Sequence, residues 1–299
     1  MEDRMTSLIA KMTELKPVFT LVYLSLMGFL CATAAQVYMG LEFNPAPTLC
    51  FMGVIFGIYT FNRFTDVQED FTTDIGRLLF FQGKKGYLFI ALACLVGSTA
   101  FLHGADKLNW MHVLLVAVGF VYSYRLIPWY SQKEGVHFIR IKEMTFVKNL
   151  AVSFLWGAAV FLVPALYSGQ DIDNAFTVTL LACGLCLATF NNTLYDDIQD
   201  MAGDRVAGIK TLPTVIGEGK SVRLLWVLDA VWLAVISSLA LAGWLELRHF
   251  AFLSLMAAYP IVYIVLDRAG RLPKGWLDFV GESDLLVFSL GLALLSRIA

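Results

Sequence analysis

Nine apolar runs divide this chain, and the basic residues between them alternate from one side to the other. The runs are residues 18–40, 47–61, 87–102, 110–127, 150–167, 175–194, 224–245, 250–266 and 285–296. About 20 apolar residues suffice to carry a helix across a bilayer. Inside lipid a span must be helical, because its backbone groups find no water to bond. The expected fold class is therefore an all-α integral membrane protein, a bundle of about nine transmembrane helices, with residues 1–299 as one polytopic domain. Composition agrees: 58% of the residues are apolar and 15% charged, against about 25% charged in soluble domains. The ninth run is the shortest, and Glu282 and Asp284 precede it. A re-entrant hairpin or a buried tail therefore stands beside a full crossing there.

Nineteen of the 22 Lys and Arg fall in the N-terminal segment and the even-numbered connections; only Lys107, Arg248 and Arg297 fall on the other side. The positive-inside bias then sets the N-terminus and the even-numbered loops in the cytoplasm. In a prokaryote this is the plasma membrane. The net charge of −2 gives no basic field, so nucleic acid is not an expected partner. The leader mixes Glu2, Asp3 and Glu14 with Arg4, Lys11 and Lys16, a poor n-region, so the first run reads as a span and not a signal peptide. The five cysteines sit in or beside apolar runs. Cys183 and Cys186 form a C-x-x-C with no second pair or paired histidine to complete a zinc site, so they read as small packing residues.

The polar chemistry collects in three long cytoplasmic connections, about residues 62–86, 125–148 and 195–223. Asn62, Asp66 and Asp70 follow the second run at i, i+4, i+8. On a continuing helix they share one face, about 6 Å apart along the axis. Asp196, Asp200 and Asp204 repeat that spacing after the sixth run, with Asp197 beside them. Like charges so placed destabilise a helix unless a cation answers them. A solvated helix end would explain one such motif. Two with the same spacing, both at the cytoplasmic end of an even-numbered span, point to a shared oxygen-ligand site for Mg²⁺, an ion typically held by carboxylates together with substrate phosphates. Lys148, Arg140, Arg205 and Lys210 lie close in sequence and suit the diphosphate of a substrate. Orientation alone would also place basic residues there. Asp229 lies inside the seventh run and calls for an internal hydrogen bond or a polar cavity.

The stretch from 195 to 217, YDDIQDMAGDRVAGIKTLPTVIG, closely resembles the second signature of the UbiA superfamily of intramembrane prenyltransferases, and residues 62–70 resemble its first, N-x-x-x-D-x-x-x-D. The resemblance implies a helical bundle around a central cavity with cytoplasmic cap loops. It implies Mg²⁺ on Asn62, Asp66, Asp70, Asp196, Asp200 and Asp204, with Asp66, Asp70, Asp196 and Asp200 as the catalytic acids. It further implies diphosphate contacts from Asn62, Lys148, Arg205, Lys210 and Arg140. The implied partners are a polyprenyl diphosphate donor, a lipophilic acceptor and the bilayer itself. Arg63 stands where many members have an acid, and no proline follows Asp70. The acceptor stays open, with an aromatic quinone precursor foremost and a glycerol phosphate lipid or a tetrapyrrole beside it. A membrane terpene cyclase is the nearest alternative activity. A secondary transporter would place its polar site near the bilayer midplane, and a Mg²⁺-using lipid phosphotransferase would carry a compact aspartate array that this sequence lacks.

Overall fold

The computed structural model describes residues 2–65, 75–83, 86–104, 106, 108, 110–131, 135–272 and 276–298. Its helices are α1 (Glu2–Tyr38), α2 (Pro45–Thr65), α3 (Ile75–Gly83), α4 (Gly86–Gly104), α5 (Trp110–Ser123), α6 (Val147–Ser168), α7 (Ala175–Gln199), α8 (Met201–Ala207), α9 (Leu212–Ile216), α10 (Glu218–Leu241), α11 (Leu247–Arg268) and α12 (Leu277–Ile298). A hairpin of β1 (Ile127–Ser131) and β2 (Gly135–Ile139) separates α5 from α6. Each expected span falls on a helix. Six are long and apolar enough to cross a membrane: Val18–Tyr38 within α1, then α6, α7, α10, α11 and Phe279–Arg297 within α12. The ninth run is thus one continuous helix rather than a re-entrant hairpin, and it begins early enough to include Glu282 and Asp284. The fourth run was expected to continue to residue 127. It ends as a helix at Ser123, because β-branched and aromatic residues from Ile127 onward pair as strands.

α1 packs on α2, α6 and α12, while α7 packs on α6, α11 and α12. Their buried side chains form one core that includes Leu24, Cys31, Ala35, Phe51, Trp156, Leu181, Leu253 and Phe288. Lipid gives helices no hydrophobic reason to associate, so close packing of small residues takes over. Cys31, Ala32 and Ala35 on α1 are fully buried. Gly157 of α6 lies against Ala182 and Cys186 of α7, which gives Cys186 of the C-x-x-C a packing role. α10 shows the membrane pattern turned inside out. Val227, Val231 and Val235 form an exposed stripe at helical spacing, while Leu225, Asp229 and Ile236 are buried on the other side.

Candidate active site

The ends of α2, α5, α6 and α7 nearest the charged connections carry the site. Asn62 occupies the last full turn of α2, and its Oδ1 accepts a hydrogen bond from Ser123 Oγ at the end of α5. Asp66 and Asp70 lie outside the described residues. The neighbour of Ser123, Tyr122, lies close enough to Lys148 to act on its charge, as does Asp204. These contacts link the Asn62 end of α2 to the second acid motif.

α6 begins after a tight turn. Phe146 has φ 77 and ψ −40, and Val147 N–H bonds to Thr145 O at 2.9 Å across it. This is a γ-turn of the strained hand, rare for a residue with a side chain. Its effect is to start α6 so that Lys148 and Asn149 both reach α7. Lys148 Nζ donates to Asp197 Oδ1 at 2.5 Å and Asn149 Nδ2 donates to Asp197 Oδ2 at 3.0 Å. Asp197 and Asn149 are buried, while Lys148 keeps 31% of its side chain exposed.

The second acid motif crosses a helix junction. α7 ends at Gln199 and α8 begins at Met201, yet the backbone ladder continues. Asp200 N–H bonds to Asp196 O, and Asp204 N–H to Asp200 O, each at 2.9 Å. The i, i+4, i+8 relation therefore holds, although Asp196 and Asp200 are exposed and Asp204 is buried. Gly208, at φ 72, closes α8 in the left-handed region, where only glycine is unstrained. The chain turns back there, and Thr211 Oγ1 donates to Asp204 Oδ2 at 3.0 Å. Burial pushes the Asp204 carboxyl up to about 6, even with the Thr211 hydrogen bond and Lys148 pulling the other way. On the far side of α7, Tyr195 and Gln199 both donate to Asp267 Oδ2 of α11, at 2.6 and 2.9 Å, fixing the helix end.

The other basic candidates are less central. Arg140 Nε donates to Glu143 Oε1 at 2.9 Å, and Arg125 reaches the same carboxylate. Burial alone would raise the Glu143 carboxyl, but the Arg140 backbone N–H and the two guanidinium groups hold it below its ordinary range. Arg205 and Lys210 are exposed, and the Lys210 carbonyl accepts from Thr145 Oγ1 at 2.9 Å, tying the two loops together. Asp229 accepts from Asn191 Nδ2 at 2.8 Å within the bundle, the internal hydrogen bond weighed from its sequence position. Sequence spacing favoured Asp196 over Asp197 and overlooked Glu143 and Thr211. The adjacency of Lys148 and Asn149 was the one available sign of a buried carboxylate facing them.

Among the described residues no three His, Cys, Asp or Glu side chains converge as a metal cluster. The donors nevertheless suit a hard cation. They are oxygens throughout, and the buried Asp204 carboxylate receives a neutral hydroxyl where a cation would favour its charged form.

The fold and site define a polytopic helical membrane protein with carboxylates and a lysine gathered at one end of its bundle. The chain belongs to the UbiA prenyltransferase family, whose family model matches residues 21–279. The digeranylgeranylglyceryl phosphate synthase of Natronomonas pharaonis is 36% identical over 113 residues, covering 36% of this chain and 38% of the relative. That of Methanothrix thermoacetophila is 32% identical over 130 residues, covering 43% and 44%. The chain thus spans about two fifths of the length of these curated relatives. A UbiA homolog from Archaeoglobus fulgidus, solved with GPP and Mg²⁺, superposes with a TM-score of 0.65 at 14% identity over 95% of this chain and 99% of that one. At that identity the likeness shows the fold.

Proposed function

We propose that the chain transfers a prenyl group from an allylic prenyl diphosphate to a lipophilic acceptor within the membrane, in a Mg²⁺-dependent reaction. The observation that carries this reading is the gathering of Asn62, Lys148 and the second acid motif at one end of a UbiA-family bundle. Asn62, Asp66, Asp70, Asp196, Asp200 and Asp204 would hold the ion. When bound, Mg²⁺ supplies positive charge that stabilises a departing diphosphate.

The chain's own groups do the rest. Lys148, held by Asp197, whose other oxygen is fixed by Asn149, presents a fixed cation to the diphosphate, and a preorganised charge of that kind favours the transition state. Arg140, Arg205 and Lys210 add positive charge around it. The bond from prenyl C1 to the diphosphate oxygen breaks with its electron pair going to the diphosphate. The new bond forms between C1 and a nucleophilic atom of the acceptor, whose proton passes to the departing diphosphate. Exclusion of water within the membrane would keep it from capturing the electron-deficient carbon.

The acceptor reading rests on the relatives. The curated ones are named for a glyceryl phosphate lipid, which supports an acceptor of that class, with an aromatic quinone precursor as the second arm of the test. The bias of Lys and Arg supports a cytoplasmic N-terminus and site. The test uses purified protein, radiolabelled farnesyl and geranylgeranyl diphosphates, and either acceptor class. Label entering a glycerol phosphate lipid in the presence of Mg²⁺ is the expected result. Label in an aromatic product reassigns the acceptor, and a hydrocarbon product formed with no acceptor would mean cyclisation instead.

A further inference from the structure

The hairpin between α5 and α6 has two unlike faces. Pro128 pairs with Phe138 and Tyr130 with Val136. Cross-strand partners share a side of the sheet, so these four residues form one face. It is entirely apolar and aromatic, and Tyr130, Val136 and Phe138 are 70%, 71% and 57% exposed. The opposite face carries Ile127, Trp129, His137 and Ile139; Trp129 is 46% exposed and the other three are half-buried. The strands pack chiefly on each other and only slightly on any helix among the described residues. A lone two-stranded hairpin is marginal in water, and an aromatic face turned to water makes it more so.

The position of the hairpin indicates what covers that face. Three residues separate it from α5, and residues 140–146, with a 3₁₀ turn at Ile141–Glu143, lead from it into α6. Both helices carry lipid-type stripes that run up to it: Trp110, Val113, Leu114 and Tyr124 on one side, and Val147, Leu150 and Phe154 on the other, all exposed. Exposed Leu126 and Phe146 join those stripes to the strands. Aromatic residues with a polar edge collect at the level of lipid headgroups, and an apolar face can bury about 5–10 Å into that boundary.

We propose that the Pro128–Tyr130–Val136–Phe138 face is a membrane-surface anchor, seated in the headgroup region of the leaflet next to the charged end of the bundle. The hairpin then fixes the connection that ends in Lys148 against the bilayer. The inference rests on the membrane fold and is independent of the reaction proposed above.

The experiment places an environment-sensitive fluorophore on Val136→Cys in a Cys183→Ser background, with the full chain in phosphatidylcholine–phosphatidylglycerol vesicles. Lys220→Cys, exposed at the start of α10, gives the comparison site, and His137→Cys reads the other face of the hairpin. Quenching by a lipid carrying a nitroxide near its headgroup is expected to be about threefold stronger at 136 than at 220, and quenching by aqueous iodide about threefold weaker, with 137 between them. Tyr130→Glu with Phe138→Glu should restore iodide quenching at 136. Equal iodide quenching at 136 and 220 would overturn the proposal. So would protection from iodide without lipid quenching, which would mean that protein covers the face, or self-quenching that rises with protein density, which would mean a second copy does.

Discussion

Lys148 Nζ stands 2.5 Å from Asp197 Oδ1, in a pair whose carboxylate is almost fully buried while its ammonium keeps a third of its side chain in the open. Asn149 holds the other carboxylate oxygen. Asp197 is therefore a positioning residue: it fixes where the lysine charge sits without itself facing outward. Lys148→Met should lower kcat by about 10²-fold, the scale of losing one preorganised charge donor. Asp197→Asn keeps the shape and removes the counter-charge, so kcat should fall about tenfold with little change in KM, as expected when an interaction made mainly in the transition state is weakened. Steady-state kinetics on both variants separate the two roles. Equal losses in KM alone would contradict the assignment.

The buried Asp204 gives a pH signature with a definite sign. Its carboxyl is pushed from an ordinary 3.8 up to about 6. An acid whose value rises on folding contributes stability that is fully present below its unfolded value and is lost as pH rises toward the folded one. Without Mg²⁺ the melting temperature should therefore fall as pH climbs from about 4 to above 6. Bound Mg²⁺ favours the carboxylate, so its stabilising effect should be small at pH 5 and large at pH 8. Asp204→Asn should flatten both trends. Thermal melts across pH, with Mg²⁺ and with chelator, read this directly.

At Gly157, α6 comes close against α7. A Cβ there would meet Ala182 O at 2.7 Å and would also meet the Cys186 sulfur. Gly157→Ala should cost about 1–3 kcal/mol, the range for overpacking a filled core. Cys186→Ala in the same chain should return part of the loss, because the sulfur is removed while the carbonyl stays. Gly97→Ala is the control, since nothing lies within 4 Å of a Cβ there. Melting temperatures in detergent would show the order.

Asp229 is hydrogen-bonded inside the bundle, and we predict a structural rather than a chemical role for it. It accepts from Asn191, its other oxygen has no hydrogen-bond partner among the described residues, and both residues are buried. Asp229→Asn should leave prenyl transfer within about twofold and the Mg²⁺ requirement unchanged. Asp229→Leu should destabilise by about 1–3 kcal/mol, because the Asn191 amide loses its acceptor. A changed Mg²⁺ requirement in Asp229→Asn would place this residue in the site after all.

The parts legible in sequence were those set by long repeating patterns. Nine apolar runs became helices because lipid leaves the backbone no other way to satisfy itself. The spacing of Asp196, Asp200 and Asp204 survived as a backbone ladder even across the junction at Asp200. What sequence spacing missed was decided by direction and by neighbours far along the chain. Asp197 and Asp196 are adjacent, yet their side chains point about 100° apart on a helix, and only the partner helix determines which one meets Lys148. Arg140 is engaged with Glu143, three residues on, a local pairing that its charge alone does not announce. The hairpin went unseen because Ile127 looked like the end of an apolar span, and five-residue strands leave little periodic signal.

The most direct test of the central reading compares wild type with Asp66→Ala and Asp200→Ala. Purified protein, labelled geranylgeranyl diphosphate and a glycerol phosphate lipid acceptor are incubated with Mg²⁺ or with chelator, and label in the lipid product is counted. The expected result is transfer by wild type with Mg²⁺ alone, and a fall of about 10²-fold or more in each variant, as for loss of metal-borne charge stabilisation. Transfer that survives in Asp200→Ala or in chelator would contradict a reaction built on these carboxylates, and a wild type that consumes no prenyl diphosphate would contradict the reaction itself.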